Sequence, residues 1–195
     1  MAVCLRNARP ETIVATSSSD ALLLVDGYNI IGTWTQLQTV RDRDGLEPAR
    51  RQLIETLVNY AALAGMRGRV VFDAHYQRRQ GCQEAVSDHF HVYYTDFGQT
   101  ADTYIETLCA KFARQQATYP YKRIIVATSD RAQQQTALGY GAHWWSAQEL
   151  AQAVDQAQWR RAKRQAAARP RRRLLINCLD AGAQARLAQW RSPQA

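Results

Sequence analysis

Four aspartates occupy one recurring place in the chain, at or just behind the end of an apolar run. Leu22-Leu23-Leu24-Val25 leads into Asp26, Val70-Val71-Phe72 into Asp73, and Val92-Tyr93-Tyr94-Thr95 into Asp96. Ile124-Ile125-Val126-Ala127 is followed by Thr128-Ser129-Asp130, and Asp102 opens a helical pattern after the third run. Continuous β-branched and aliphatic runs are expected of strands covered on both faces. In open α/β sheets, ligands sit outside the carboxyl ends of the strands. Taken singly, an aspartate at a strand end is often only a turn or cap residue, but here several converge on one rim. Carboxylates held together repel and need protons or a cation to coexist. An all-oxygen set suits Mg²⁺ or Mn²⁺, and such an ion activates water and clamps the oxygens of a phosphodiester. Metal-assisted phosphodiester hydrolysis is the expected reaction.

Around the first acid, Gly27 allows close approach of the backbone to a ligand, or a positive φ. Asn29 is a donor for a phosphate oxygen or a brace for Asp26, and a loop-closing hydrogen bond is the plainer alternative. Thr128 and Ser129 are candidates to contact metal-bound water, with Ser129 also a candidate N-cap for the next helix. Trp34 is the best candidate for stacking on a base. An aspartyl-phosphate phosphatase would want a second acid two residues after the nucleophile, where Tyr28 stands. A receiver domain fails similarly, lacking paired acids near Asp26. His89 and His91 share a strand face but have no further ligands at zinc spacing. No P-loop or G-x-G-x-x-G occurs, so a nucleotide cofactor has no support.

Helical patterns alternate with the strands that carry these acids. A loop is expected from Ile30 to Leu46, then a helix opened by Glu47-Pro48, with Leu53, Leu57, Tyr60 and Leu63 inward and Gly65 and Gly68 ending it. Strands are expected at Arg69–Asp73 and Phe90–Asp96, with a polar exposed loop over Ala74–Ser87 between them. Helices follow over Asp102–Thr118, capped by Thr100 or Thr103, and over Asp130–Leu138. A short strand, Ala142–Trp145, precedes a capping box, Ser146-x-x-Glu149, and Pro170 breaks the helix that this box starts. A last helix is expected over Asp180–Arg191. The alternation predicts a three-layer α/β/α domain with a mostly parallel, Rossmann-like sheet.

The formal charge is +8 over 195 residues. Arg160, Arg161, Lys163, Arg164, Arg169, Arg171, Arg172 and Arg173 fall between positions 156 and 173 without an acid, and they equal the whole net charge. A neutral body with one cationic arm fits a polyanion partner. The expected organisation is a disordered lead-in over 1–20, a domain over 21–155 and a basic helical extension over 156–195. Cys4, Cys82, Cys109 and Cys178 form no C-x-x-C pair, as expected of reduced thiols. Nothing is long and apolar enough to cross a membrane, and the expected location is cytoplasmic.

Four ordered segments, Leu24–Gly32, Val71–His75, Thr100–Asp102 and Ala127–Asp130, resemble the YacP-like branch of the NYN-domain ribonucleases. The likeness runs from about Leu22 to the C-terminus. It implies a PIN-like fold and a metal-dependent endoribonuclease, with Mg²⁺ or Mn²⁺ held by Asp26, Asp102 and Asp130, and Asp73 as a secondary metal residue. Asn29 and Ser129 are then substrate contacts. Arg160, Arg161, Lys163 and Arg164 hold the backbone of RNA, mRNA being the expected kind, or a ribonucleoprotein such as the ribosome. One departure concerns the position after Asp102, where relatives are expected to carry an acid and this chain has Thr103. Glu106, one turn on, is the nearest substitute. The competing expectation is a non-catalytic RNA- or ribosome-binding adaptor with a vestigial site.

Overall fold

A computed structural model describes residues 20–73, 82–115 and 117–168. Its elements, in order, are β1 (Ala21–Asp26), α1 (Gly27–Thr33), α2 (Thr35–Asp44), α3 (Leu46–Ala64), β2 (Arg67–Phe72), β3 (Cys82–Ser87), β4 (Phe90–Tyr94), α4 (Ala101–Arg114), β5 (Arg123–Ala127), α5 (Arg131–Gly139), β6 (His143–Trp145) and α6 (Ala147–Ala168). The six strands form one sheet in the order β3-β4-β2-β1-β5-β6. All neighbours are parallel except the edge pair β3 and β4.

β1 lies inside the sheet, paired through Val25 to Val70 of β2 and to Ala127 of β5. Its side chains alternate between the two faces, as any strand's must. Leu23 and Val25 join the core that includes residues of α1, α2, α3 and α6, whereas Leu22 and Leu24 join the core beneath α4 and α5. The sheet is therefore sandwiched, which is why its strands read as continuous apolar runs.

The helices take their boundaries from local chemistry. α3 buries Ala49, Leu53, Leu57, Tyr60 and Ala61 and stops at Gly65, whose φ of 63° is left-handed. α4 buries Ala101, Ile105, Cys109 and Phe112 and is capped by Thr100, whose side chain accepts from the Thr103 N–H. The Ser146 capping box forms: Ser146 Oγ accepts from the Glu149 N–H, and Glu149 Oε2 accepts from the Ser146 N–H.

Several boundaries differ from expectation. The stretch from Ile30 to Leu46 is α1, α2 and the start of α3, not a loop. α2 buries only Leu37, so it has too narrow an apolar stripe to read as helical. Residues 82–87 of the expected polar loop form β3, an edge strand whose residues are almost all exposed and whose register shifts between Ala85 and Ser87. An exposed edge strand has little apolar alternation to betray it. α4 ends at Arg114, short of Thr118, and β4 ends at Tyr94, short of Asp96. Gly68 lies in β2 rather than at a helix end, where an added Cβ would come 2.5 Å from the Phe90 ring.

Contacts along the chain group it into two units, Met1–Gln158 and Trp159–Ala195. The expected lead-in before Asp20, positions 74–81 of the expected loop, Pro170 and the Asp180–Arg191 helix lie outside the described residues, as do Arg169, Arg171, Arg172 and Arg173.

Gly27 is buried and helical, not left-handed. A Cβ there would fall 2.2 Å from Cε1 of Phe72, so the glycine serves close packing of α1 on β2. Gly27→Ala should lower stability by about 1–3 kcal/mol, the usual cost of overpacking, seen as a lower urea midpoint with unchanged slope. An unchanged midpoint would show that the Phe72 ring yields freely.

Candidate active site

The strand order reverses at β1: the chain steps from β1 to β2 on one side and later fills β5 and β6 on the other. Crevices for ligands open at such switch points, outside the strand ends. Here the crevice is tied together by hydrogen bonds. Asp26 closes β1 and caps α1, its Oδ1 accepting from the Asn29 N–H at 3.1 Å. Asn29 then reaches across the crevice, and its Oδ1 accepts from the Ser129 N–H at 2.7 Å. A backbone N–H can only donate, so the amide oxygen of Asn29 is fixed towards Ser129 and Nδ2 keeps its donors for another partner. Asn29 is thus the loop-closing brace, and it touches Asp26 through its backbone.

The far wall is equally braced. Ser129 Oγ accepts from the Ala147 N–H at 3.4 Å, and Ala147 in turn accepts from Trp34 Nε1 at 2.8 Å. Trp34 is therefore a strut from the end of α1 to the start of α6, with its ring packed on the core, rather than a free stacking platform. Trp144 Nε1 donates to the Thr128 carbonyl at 2.8 Å. Thr128 is fully buried, and its Oγ1 accepts from the Asp130 N–H at 3.1 Å. The N-cap of α5 is Asp130, not Ser129: Asp130 Oδ1 accepts from the N–H groups of Ala132 and Gln133 at 2.7 and 3.2 Å.

Two more acids face this crevice. Asp73 follows β2, and its Oδ1 accepts from the Ala101 N–H at the start of α4. Asp102, the next residue of α4, accepts at Oδ1 from Gln133 Nε2 of α5 at 2.5 Å. The charges of these acids act on Asp26 and on Asp102. Asp26 is pushed up to about 6, first by burial and then by the charges of Asp102, Asp73 and Asp130, against the lowering effect of the Asn29 N–H. Asp102 is also raised, by burial and by Asp130 and Asp73, with the Gln133 bond opposing. Asp96 is not among the acids acting on either.

Such a set fits a hard divalent cation, which would relieve the repulsion that the folded protein otherwise carries. Every acid spends its Oδ1 on the scaffold, which leaves Oδ2 as the atom to offer. Among the described residues no three His, Cys, Asp or Glu side chains form a ready-made cage. Mg²⁺ does not require one: it keeps several waters and is commonly held by one or two carboxylates with substrate phosphates completing the shell. The fit is to an open site.

The structure thus brings Asp26, Asp73, Asp102, Asp130, Asn29 and Ser129 to one rim. Thr103 is held in the α4 cap, its Oγ1 2.9 Å from that of Thr100, and Glu106 lines a cavity beside Asp102. Arg160, Arg161, Lys163 and Arg164 belong to the second unit, all exposed on α6, with the Lys163 ammonium 4.9 Å from the centre of the Trp159 ring. Two residues beside the rim escape sequence reading. Arg50 donates to the Tyr28 hydroxyl at 3.0 Å and pairs with Glu47. Gln133 stands three residues after a cap, the place of a capping-box glutamine, so nothing in the sequence turns it towards Asp102. The buried Cys109 thiol, pushed up to about 11 by burial and Glu106, stays protonated and structural.

A carboxylate-rimmed crevice at the switch point of a three-layer α/β sheet defines a class of α/β protein whose acids gather where such sheets bind ligands. The comparisons with known proteins narrow it. Residues 23–192 match the family described as the YacP-like NYN domain. A Bacillus subtilis (strain 168) protein described as uncharacterized protein YacP is 40% identical over 135 residues, 69% of this chain and 75% of the relative. The crystal structure of Rae1 (YacP) from Bacillus subtilis superposes with a TM-score of 0.61 at 32% identity, covering 87% of this chain and 94% of the other. A mutant of it gives 0.60 at 31% identity, covering 87% and 99%. This chain belongs to the YacP-like NYN domain family, and that membership supports a nuclease-like, RNA-related function.

Burial of Asp26 sets a pH dependence. The folded protein holds this proton up to about pH 6, the unfolded chain only to its ordinary 3.8. The folded form therefore binds more protons in that window, and stability falls as pH rises through it. That difference corresponds to about 3 kcal/mol at most. Asp26→Asn keeps an oxygen for the α1 cap, so in EDTA it should be more stable than wild type by about 2–3 kcal/mol at pH 7.5. The gap should close near pH 4. Equal or lower stability of the variant at pH 7.5 would contradict the burial of an unfavourable charge.

Proposed function

We propose that the protein is a Mg²⁺- or Mn²⁺-dependent endoribonuclease that hydrolyses RNA phosphodiester bonds, in mRNA decay or RNA processing. The observation that carries this reading is the gathering of Asp26, Asp102, Asp73 and Asp130 on one rim, with the part-buried Asp26 under the charge of the other three. Asp26, Asp102 and Asp130 would hold the cation, with Asp73 beside them tying the α4 N-terminus in place. When bound, the ion supplies an activated water and neutralises charge on the phosphate being cleaved. Asn29 Nδ2 and the Ser129 hydroxyl line the crevice as donors to the substrate's phosphate oxygens. Arg160, Arg161, Lys163 and Arg164 supply sequence-independent contacts to the RNA backbone, free or within a ribosome. No helix among the described residues is long and apolar enough to cross a membrane.

Three experiments test this. A mixed RNA pool incubated with the pure protein and Mn²⁺ should yield new internal ends that EDTA suppresses. Asp130→Asn retains an oxygen for the α5 cap, so it should lose cleavage while keeping RNA binding; unchanged cleavage would refute the assignment. Salt-sensitive RNA binding with no metal-dependent cleavage by wild type is the result that a non-catalytic adaptor would give. Replacing Arg160, Arg161, Lys163 and Arg164 together by Gln should flatten the dependence of log affinity on log salt by about 3, at roughly 0.7 per single-strand phosphate contact. An unchanged slope would remove these residues from the RNA interface.

A further inference from the structure

We infer that Gln133 is a positioning residue whose amide fixes the Asp102 carboxylate for the divalent cation, at a cost to the stability of the metal-free fold. This rests on the reading of the acid rim as a cation site.

Gln133 is 6% exposed, one of few buried polar side chains among the described residues. Its Nε2 donates to Asp102 Oδ1 at 2.5 Å. A carboxylate accepts and does not donate when ionised, so the amide must present its nitrogen to Asp102 and its oxygen the other way. That oxygen, Oε1, is buried without a hydrogen-bond partner. Leaving a buried acceptor unsatisfied is unfavourable. Ile105, Cys109 and Ala137 line the adjoining cavity of about 170 Å³ together with Gln133 and Asp102. Glu106 and Thr136 line the same cavity, but against its apolar residues a methionine or leucine would fill the space with no orphaned atom.

The usual task of a glutamine three residues into a helix is also closed to it. In a capping box the side chain returns to the backbone N–H of the cap residue. Here the Asp130 N–H is already taken by Thr128 Oγ1 at 3.1 Å. The Gln133 side chain instead joins α5, which Asp130 caps, to α4, which carries Asp102. One amide therefore sets one proposed ligand relative to another. Partners of this kind orient metal-binding groups, and their loss typically weakens metal affinity 10- to 100-fold.

The test uses Gln133→Met and Gln133→Leu in the full chain, read by melting temperature in EDTA and by the Mn²⁺ concentration giving half of the maximal thermal shift. Both variants should melt at or above the wild-type temperature without metal. Both should need at least about 10-fold more Mn²⁺ for the half-maximal shift. An unchanged Mn²⁺ midpoint would overturn the inference. So would a fall in the metal-free melting temperature, because it would make Gln133 a packing residue. A wild-type protein whose melting ignores Mn²⁺ would instead overturn the cation reading itself, and this inference with it.

Discussion

The structure turns on one unfavourable arrangement: a half-buried carboxylate at the end of an interior strand, facing three others. β1 is hydrogen-bonded on both sides, so Asp26 has no freedom to swing out into solvent by moving its backbone. Burial and the charges of Asp102, Asp73 and Asp130 all push it towards the protonated form. A protein that needed only a helix cap at this position could use serine, threonine or asparagine without that repulsion. The acid is informative because it is costly.

The same carboxylates also build the fold. Asp26 and Asp130 cap α1 and α5, Asp73 tethers the first residue of α4, and Asp102 receives the α5 glutamine. Each bond uses one oxygen, which holds the other in a defined direction before any ligand arrives. Around them, Asn29, Ser129, Trp34, Trp144 and Thr128 join the ends of β1 and β5 to the start of α6. Preorganisation of this kind suits a site that stabilises charge on a phosphate, since little reorganisation is left for the reaction.

Much of this was legible in the sequence because buried parallel strands announce themselves. Leu22–Val25 and Ile124–Ala127 are uninterrupted apolar runs, and their ends place Asp26 and Asp130 on the same rim from the sequence alone. What stayed hidden depended on groups distant in sequence or exposed in space. β3 is an exposed edge, so its residues carry no burial pattern. α2 is held by its neighbours and buries only Leu37. Trp34 resembled a solvent-facing stacking residue because nothing local reveals a bond to Ala147, far along the chain. Gln133 was masked by its own position: local rules assign it to the cap, and only the Thr128 bond to Asp130 releases it for Asp102.

The role proposed for the four acids is to hold a divalent cation. Its most direct test is a crystal of the protein soaked in Mn²⁺, with the ion located by anomalous scattering. A peak is expected on the carboxylate oxygens of Asp26 and at least one of Asp102, Asp130 and Asp73. A map with no peak in the crevice, under conditions in which the protein cleaves RNA, would contradict it.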